Sequence, residues 1–88
     1  MTFYVYIIYN IHHDIFYIGS THNLQKRITE HKTGKGNYTS RYNGYWCFLY
    51  YESFPTRSEA MRREKEIKSW KSKTYTKKFI REKRRSAG

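Results

Sequence analysis

Phe16-Tyr17-Ile18-Gly19-Ser20-Thr21-His22-Asn23-Leu24-Gln25-Lys26-Arg27-Ile28-Thr29-Glu30-His31 sets more polar chemistry against an apolar background than any other stretch of the chain. Ile15, Tyr17 and Gly19 alternate with Phe16 and Ile18, which predicts a short strand. The glycine either ends it or lets another backbone or a ligand come close. A helix follows at once: Asn23 is a good N-cap, Leu24 and Ile28 are four apart, and Gly34 suits the C′ position after His31-Lys32-Thr33. At about 100° per residue, Arg27 and His31 lie along the edge of the Leu24/Ile28 stripe, aimed back toward the strand that carries Tyr17. The plainer alternative is that Arg27 lays its stem along apolar surface and His31 flanks the core.

Upstream, Phe3-Tyr4-Val5-Tyr6-Ile7-Ile8-Tyr9 is β-branched and aromatic throughout, the pattern of a central strand covered on both faces. The short Asn10-Ile11-His12-His13-Asp14 loop makes it one arm of an antiparallel hairpin. Tyr6 and Tyr17 come close if both face the same side, but register is not readable from sequence. Downstream, residues 34–44 form a Gly- and Asn-rich loop in which Lys35 and Arg41 interleave with Tyr38 and Tyr42, and residues 45–51 form a third strand.

Thr56 and Glu59 have capping-box spacing and open a helix that runs to about Trp70. Ala60, Ile67 and Trp70 define its apolar side, with Met61 at the margin, and Glu64 falls inside that arc. A carboxylate on a packed face needs a reason, either an ion pair with Arg27, Arg63 or Lys68 or a functional one. From Lys71 a short third helix, anchored by Tyr75, Phe79 and Ile80, leads into a basic, frayed tail at residues 81–88. Residues 1–80 make a single domain.

Eighty-eight residues leave no room for a second domain, and folding at this size buries only roughly 60 to 65% of the chain's surface. Ten tyrosines, five phenylalanines and two tryptophans make the small core aromatic and keep hydroxyls at its rim. The net charge of +11 points to nucleic acid, and thirteen of the eighteen cations follow residue 50, so the polyanion footprint leans on the C-terminal half. No basic segment has the clean apolar face that a membrane surface requires, and the Met1 to Ile11 run is too short to span one. The lone Cys47 excludes an internal disulfide and a Cys-rich zinc site, and fits a reducing, cytoplasmic setting.

Phosphodiester hydrolysis needs an activated water and stabilisation of charge on the phosphoryl oxygens. Seven acids, with no close pair that reads as a two-metal cage, make a single hard cation on one Glu the arrangement to expect if the chain cuts. Tyr4-Val5-Tyr6-Ile7-Ile8, Tyr17-Ile18-Gly19, Asn23-Leu24, Arg27, His31 and Ala60-Met61-Arg62-Arg63-Glu64 stand in the order and spacing of the GIY-YIG nuclease domain. The chain most resembles the small stand-alone bacterial members, which add a Gly-Lys-Gly loop (Gly34-Lys35-Gly36) and the helix start Phe54-Pro55-Thr56-Arg57-Ser58-Glu59-Ala60.

The resemblance runs from about Phe3 to Trp70. It implies an α+β fold, a small three-stranded antiparallel sheet flanked by about three helices, and a one-metal site that hydrolyses DNA strands. By the same resemblance Glu64 holds one Mg²⁺ or Mn²⁺, Arg27 stabilises the transition state, and Tyr6, Tyr17 and His31 share the activation and orientation of water. Which of those three is the base stays open. Two departures stand out: the first motif keeps its tyrosine but has Tyr4 where the family has glycine, and no asparagine follows Asn43. Lys26, Lys35, Tyr38, Arg41 and Arg63 are the candidate nucleic-acid contacts. Two alternatives compete with the nuclease: a basic DNA- or RNA-binding module without turnover, and an adaptor that docks on an acidic protein.

Overall fold

A computed structural model describes residues 1–32 and 46–87. In chain order the elements are β1 (Phe3–Asn10), β2 (Ile15–Thr21), α1 (Leu24–Lys32), β3 (Trp46–Phe54), α2 (Arg57–Lys68) and α3 (Lys73–Ala87). The strands form one antiparallel sheet in the order β2-β1-β3. The expected α+β class and hairpin are therefore present, with β1 in the middle as its unbroken apolar sequence requires.

Both faces of β1 are buried, and they face different helices. Val5 and Ile7 pack with Ala60 and Ile67 of α2 and Ile80 of α3. Tyr6 and Ile8 turn to the other side, with Tyr17, Leu24, Phe48 and Trp46. Register pairs Tyr6 with Gly19 and Ile8 with Tyr17, so the two tyrosines share a face. On the other flank the register slips between Ile7, opposite Tyr50, and Ile8, opposite Phe48. Leu49 is thus a bulge residue, which lets Leu49 and Tyr50 both join the α2/α3 face.

Local signals work largely as read. The Asn23 side chain accepts from the Lys26 N–H at 3.1 Å, and the Thr56 hydroxyl accepts from the Glu59 N–H at 3.2 Å. Asn10, fully buried, accepts from the His13 N–H at 3.0 Å and so closes the hairpin turn, in which Asp14 takes a left-handed φ of 53°. The Asp14 carboxylate accepts from the Tyr9 hydroxyl and meets Lys73 at 3.5 Å and Lys77 at 3.3 Å, tying the hairpin to α3.

Several boundaries differ from the sequence expectation. β2 does not stop at Gly19 but continues to Thr21, β3 runs on to Phe54, and α2 closes at Lys68 rather than Trp70. Trp70 instead sits in the corner before α3, its ring 4.8 Å from Tyr75 and 4.9 Å from Phe79. The third helix is not short: it continues through Arg81 to Ala87, because neither Gly nor Pro interrupts residues 73–87 and Lys, Arg and Glu are good helix formers. Lys71, in the same corner, has a φ of 52°, a conformation more natural to Gly or Asn. No helix among the described residues is long and apolar enough to cross a membrane.

Candidate active site

Alternation along β1 puts Tyr6 on the α1 side of the sheet, and the hairpin register sets it diagonal to Tyr17. Their ring centroids are 6.2 Å apart. α1 then lowers His31 onto both rings, 5.6 Å from Tyr6 and 5.1 Å from Tyr17. His31 is 3% exposed and Tyr6 wholly buried, and His31 Nε2 lies 2.8 Å from the Tyr6 hydroxyl.

The protonation of this pair follows from its surroundings. Burial pushes Tyr6 up to about 12, against the pull of the neighbouring Arg27 guanidinium, so the phenol keeps its proton at neutral pH. Burial, reinforced by the Arg27 charge, lowers the His31 imidazole below its ordinary 6.5. A neutral imidazole beside a protonated phenol makes Tyr6 the donor and His31 Nε2 the acceptor.

Gly19 completes the arrangement. A Cβ at this position would lie 2.6 Å from the Tyr6 hydroxyl oxygen, 2.8 Å from its Cζ and 3.1 Å from Tyr17 Cε1. The close approach inferred for this glycine is therefore made by a side chain across the hairpin, not by a ligand. Only a residue without a side chain lets the Tyr6 hydroxyl lie over β2.

Glu64 arrives from the opposite side of the sheet. Ala60 and Ile67 anchor α2 on the Val5/Ile7 face, and the Glu64 side chain, 20% exposed, reaches the outer strand, where its Oε1 accepts from the Ser20 hydroxyl at 2.6 Å. Ser20 directly follows Gly19, and the Glu64 charge contributes to raising Tyr6. The carboxylate is thus held by the residue next to Gly19, over which the Tyr6 hydroxyl lies. Of the ion-pair partners considered for Glu64, the one found is Lys68, whose Nζ is 2.6 Å from Oε2.

Arg27 is raised above its ordinary value, chiefly through its hydrogen bond with Tyr6, and pairs with Glu30 at 3.1 Å. With 37% of its side chain exposed it also lines a cleft of about 250 Å³, together with Ser20, Thr21, His22, Phe3 and Arg57. Two guanidinium groups around one cleft suit an anion such as a phosphate. Ser20 and Arg57 were not singled out from the sequence. Ser20 is recognisable only as the residue after the Tyr-Ile-Gly motif, and Arg57 only as the first residue of α2, whose guanidinium lies 5.2 Å from the Phe3 ring.

The nucleic-acid candidates divide. Lys26 is exposed on α1. Arg63 is engaged elsewhere: its Nε and Nη2 donate to Glu52 at 2.9 and 3.0 Å, its Nη1 meets Glu66, and the guanidinium lies 5.7 Å from both the Trp70 and Phe79 rings. Lys35, Tyr38 and Arg41 lie outside the described residues.

No group of three or more His, Cys, Asp or Glu side chains comes together among the described residues, and Glu64 is the single carboxylate to which the sequence assigned an ion. Its oxygens already accept from a hydroxyl and face an ammonium. As a hard oxygen donor, Glu64 would suit one Mg²⁺ or Mn²⁺ ligated mainly by water and substrate.

Residues 2–78 match the family model described as the GIY-YIG catalytic domain. The chain belongs to the GIY-YIG family. It is 40% identical over 67 residues to a UPF0213 protein of Staphylococcus haemolyticus, covering 76% of this chain and 80% of that one. A UPF0213 protein of Oceanobacillus iheyensis is 42% identical over 65 residues, 74% of either chain. The solution NMR structure of a UPF0213 protein from Bacillus halodurans, 32% identical, covers 91% of this chain and 83% of its own with a TM-score of 0.56. The three-stranded antiparallel sheet with three helices is thus a GIY-YIG arrangement shared with that neighbour.

Proposed function

We propose that this GIY-YIG domain is an endonuclease that hydrolyses DNA phosphodiester bonds with one divalent ion held by Glu64. The observation that carries the reading is that Tyr6, Tyr17, His31 and Arg27 gather on one face of the sheet beside Gly19, while Glu64, from the other face, is held by the adjacent Ser20. Bound there, Mg²⁺ or Mn²⁺ supplies a Lewis acid for the phosphoryl oxygen and lowers the pKa of a coordinated water.

The chain's own groups do the rest. Arg27, charged at every working pH and open to the cleft, binds a phosphoryl oxygen and offsets the charge that develops on it. Tyr17 is only partly buried, whereas Tyr6 and His31 are sealed, so Tyr17 is the phenol that meets the attacking water and orients it. Tyr6 stands behind it, keeps its proton and, by donating to Nε2, fixes the neutral imidazole in place.

Supercoiled plasmid incubated with the protein and Mg²⁺ or Mn²⁺ tests the reading. Nicking is expected, with losses of about a hundredfold or more for Glu64→Gln and Arg27→Ala. No nicking by the wild type, or equal nicking by Glu64→Gln, removes the case. One observation favours a second reading, a basic nucleic-acid-binding module without turnover: both Glu64 oxygens already have partners in Ser20 and Lys68. That module binds DNA or RNA without metal, and its binding survives Glu64→Gln.

A further inference from the structure

We propose that the groove between the outer edge of β2 and the α2–α3 corner holds the sugar-phosphate backbone of the nucleic-acid strand next to the cut. The proposal rests on the nuclease reading and adds a binding surface to it. The groove encloses about 220 Å³; Phe16, Ile18 and Ile67 supply apolar wall, and Lys68, Lys71 and Lys73 supply positive charge. It begins at the candidate active site, because Lys68 both lines it and pairs with Glu64 at 2.6 Å. From Ser20 to Phe16 the strand advances about 13 Å, long enough for more than one phosphate.

The three lysines are not equivalent. Lys68 faces Glu64, and Lys73 at the far end is 3.5 Å from Asp14, which also holds Lys77 at 3.3 Å. Lys71, between them, is exposed and has no carboxylate within ion-pair distance among the described residues. Its left-handed φ of 52° is one that Gly or Asn adopts more readily. A cation thus occupies a backbone position that favours other residues, inside a groove whose other two lysines each face a carboxylate. A polyanionic strand supplies the missing counter-charge, and its sugars and bases suit the apolar wall.

The test is fluorescence anisotropy of a labelled DNA duplex with the full chain, in chelator to prevent cutting, between about 50 and 200 mM salt. Lys71→Asn is compared with Lys78→Gln, an exposed α3 lysine that does not line the groove. Lys71→Asn is expected to weaken binding about three- to tenfold and to flatten the log K against log salt slope by about 0.7 to 0.9. Its melting temperature should be equal to or above that of the wild type, since asparagine tolerates the left-handed conformation, and this separates lost contact from lost fold. Binding by Lys71→Asn that matches Lys78→Gln overturns the groove, and if the wild type still nicks plasmid, the nuclease reading survives. Displacement of the duplex by polyglutamate as readily as by unlabelled DNA also overturns it. A wild type that neither binds nor nicks overturns both readings.

Discussion

Tyr6 shows how a single residue's chemistry depends on its cover. With its hydroxyl 2.8 Å from His31 Nε2 and over the backbone of Gly19, the ring has nowhere to move. Gly19→Ala therefore forces a displacement of a fully buried tyrosine, expected to cost about 1 to 3 kcal/mol in urea unfolding and to lower the nicking rate. His31 carries a pH dependence of known sign. Burial and Arg27 hold its pKa below 6.5, so the unfolded chain binds a proton that the folded one refuses. Stability should rise as pH increases from the folded pKa to about 6.5 and level off above. Urea midpoints at acidic and neutral pH check this: the difference should shrink in His31→Gln, and an unchanged difference counts against the assignment. The candidates Tyr6, Tyr17, Arg27 and His31 were legible because motif spacing along a strand and a helix is local. The division between a sealed Tyr6 and a part-exposed Tyr17 was not, because exposure depends on what another element lays on top.

At the scale of elements, the placing of α2 decides where Glu64 reaches. Two contacts govern it: the Ala60/Ile67 stripe in the core, and Arg63, which grips Glu52 of β3 while lying over the Trp70 and Phe79 rings. Burial pushes the Glu52 carboxyl up, yet Arg63 and the Tyr50 hydroxyl together hold it below the usual carboxylate range. The Arg63 and Glu52 side chains remain 24% and 20% exposed, so solvent screens part of the attraction. Glu52→Gln should lower unfolding free energy by about 1 to 2 kcal/mol at unchanged m-value, and nicking should fall with it as α2 loses its rotational anchor. The helix starts at Asn23 and Thr56 were readable from capping residues alone. The bulge at Leu49 and the extension of β2 to Thr21 were not, since both are set by pairing with β1 rather than by their own sequence.

Across the whole molecule, a charge of +11 sits on a body of 33 × 27 × 26 Å. Nucleic-acid binding should therefore weaken steeply with salt, about ten- to a thousandfold between 50 and 200 mM if several phosphates are contacted. Chelating divalent ions should stop nicking while leaving that binding in place. Both are measured on the same sample by anisotropy and plasmid relaxation, and nicking that persists in chelator speaks against the one-metal reading. The C-terminal weighting of the charge was legible by counting. That Arg63 is held by Glu52 and Glu66, whereas Lys71 faces an open groove, was not.

The sequence by itself determined the strands and the helix starts, which depend on side-chain alternation, capping chemistry and turn residues within a few positions of one another. Its resemblance to the GIY-YIG domain implied the α+β class and the polar residues worth watching. Tertiary structure alone decided that Ser20 and Lys68 hold Glu64, that Gly19 accommodates Tyr6, and that these two neighbouring residues of β2, Gly19 and Ser20, bring the carboxylate and the phenol to adjacent positions. Ser20 and Glu64 are 44 residues apart, and their meeting follows from register and from which face each helix covers, quantities that exist only once the strands have paired.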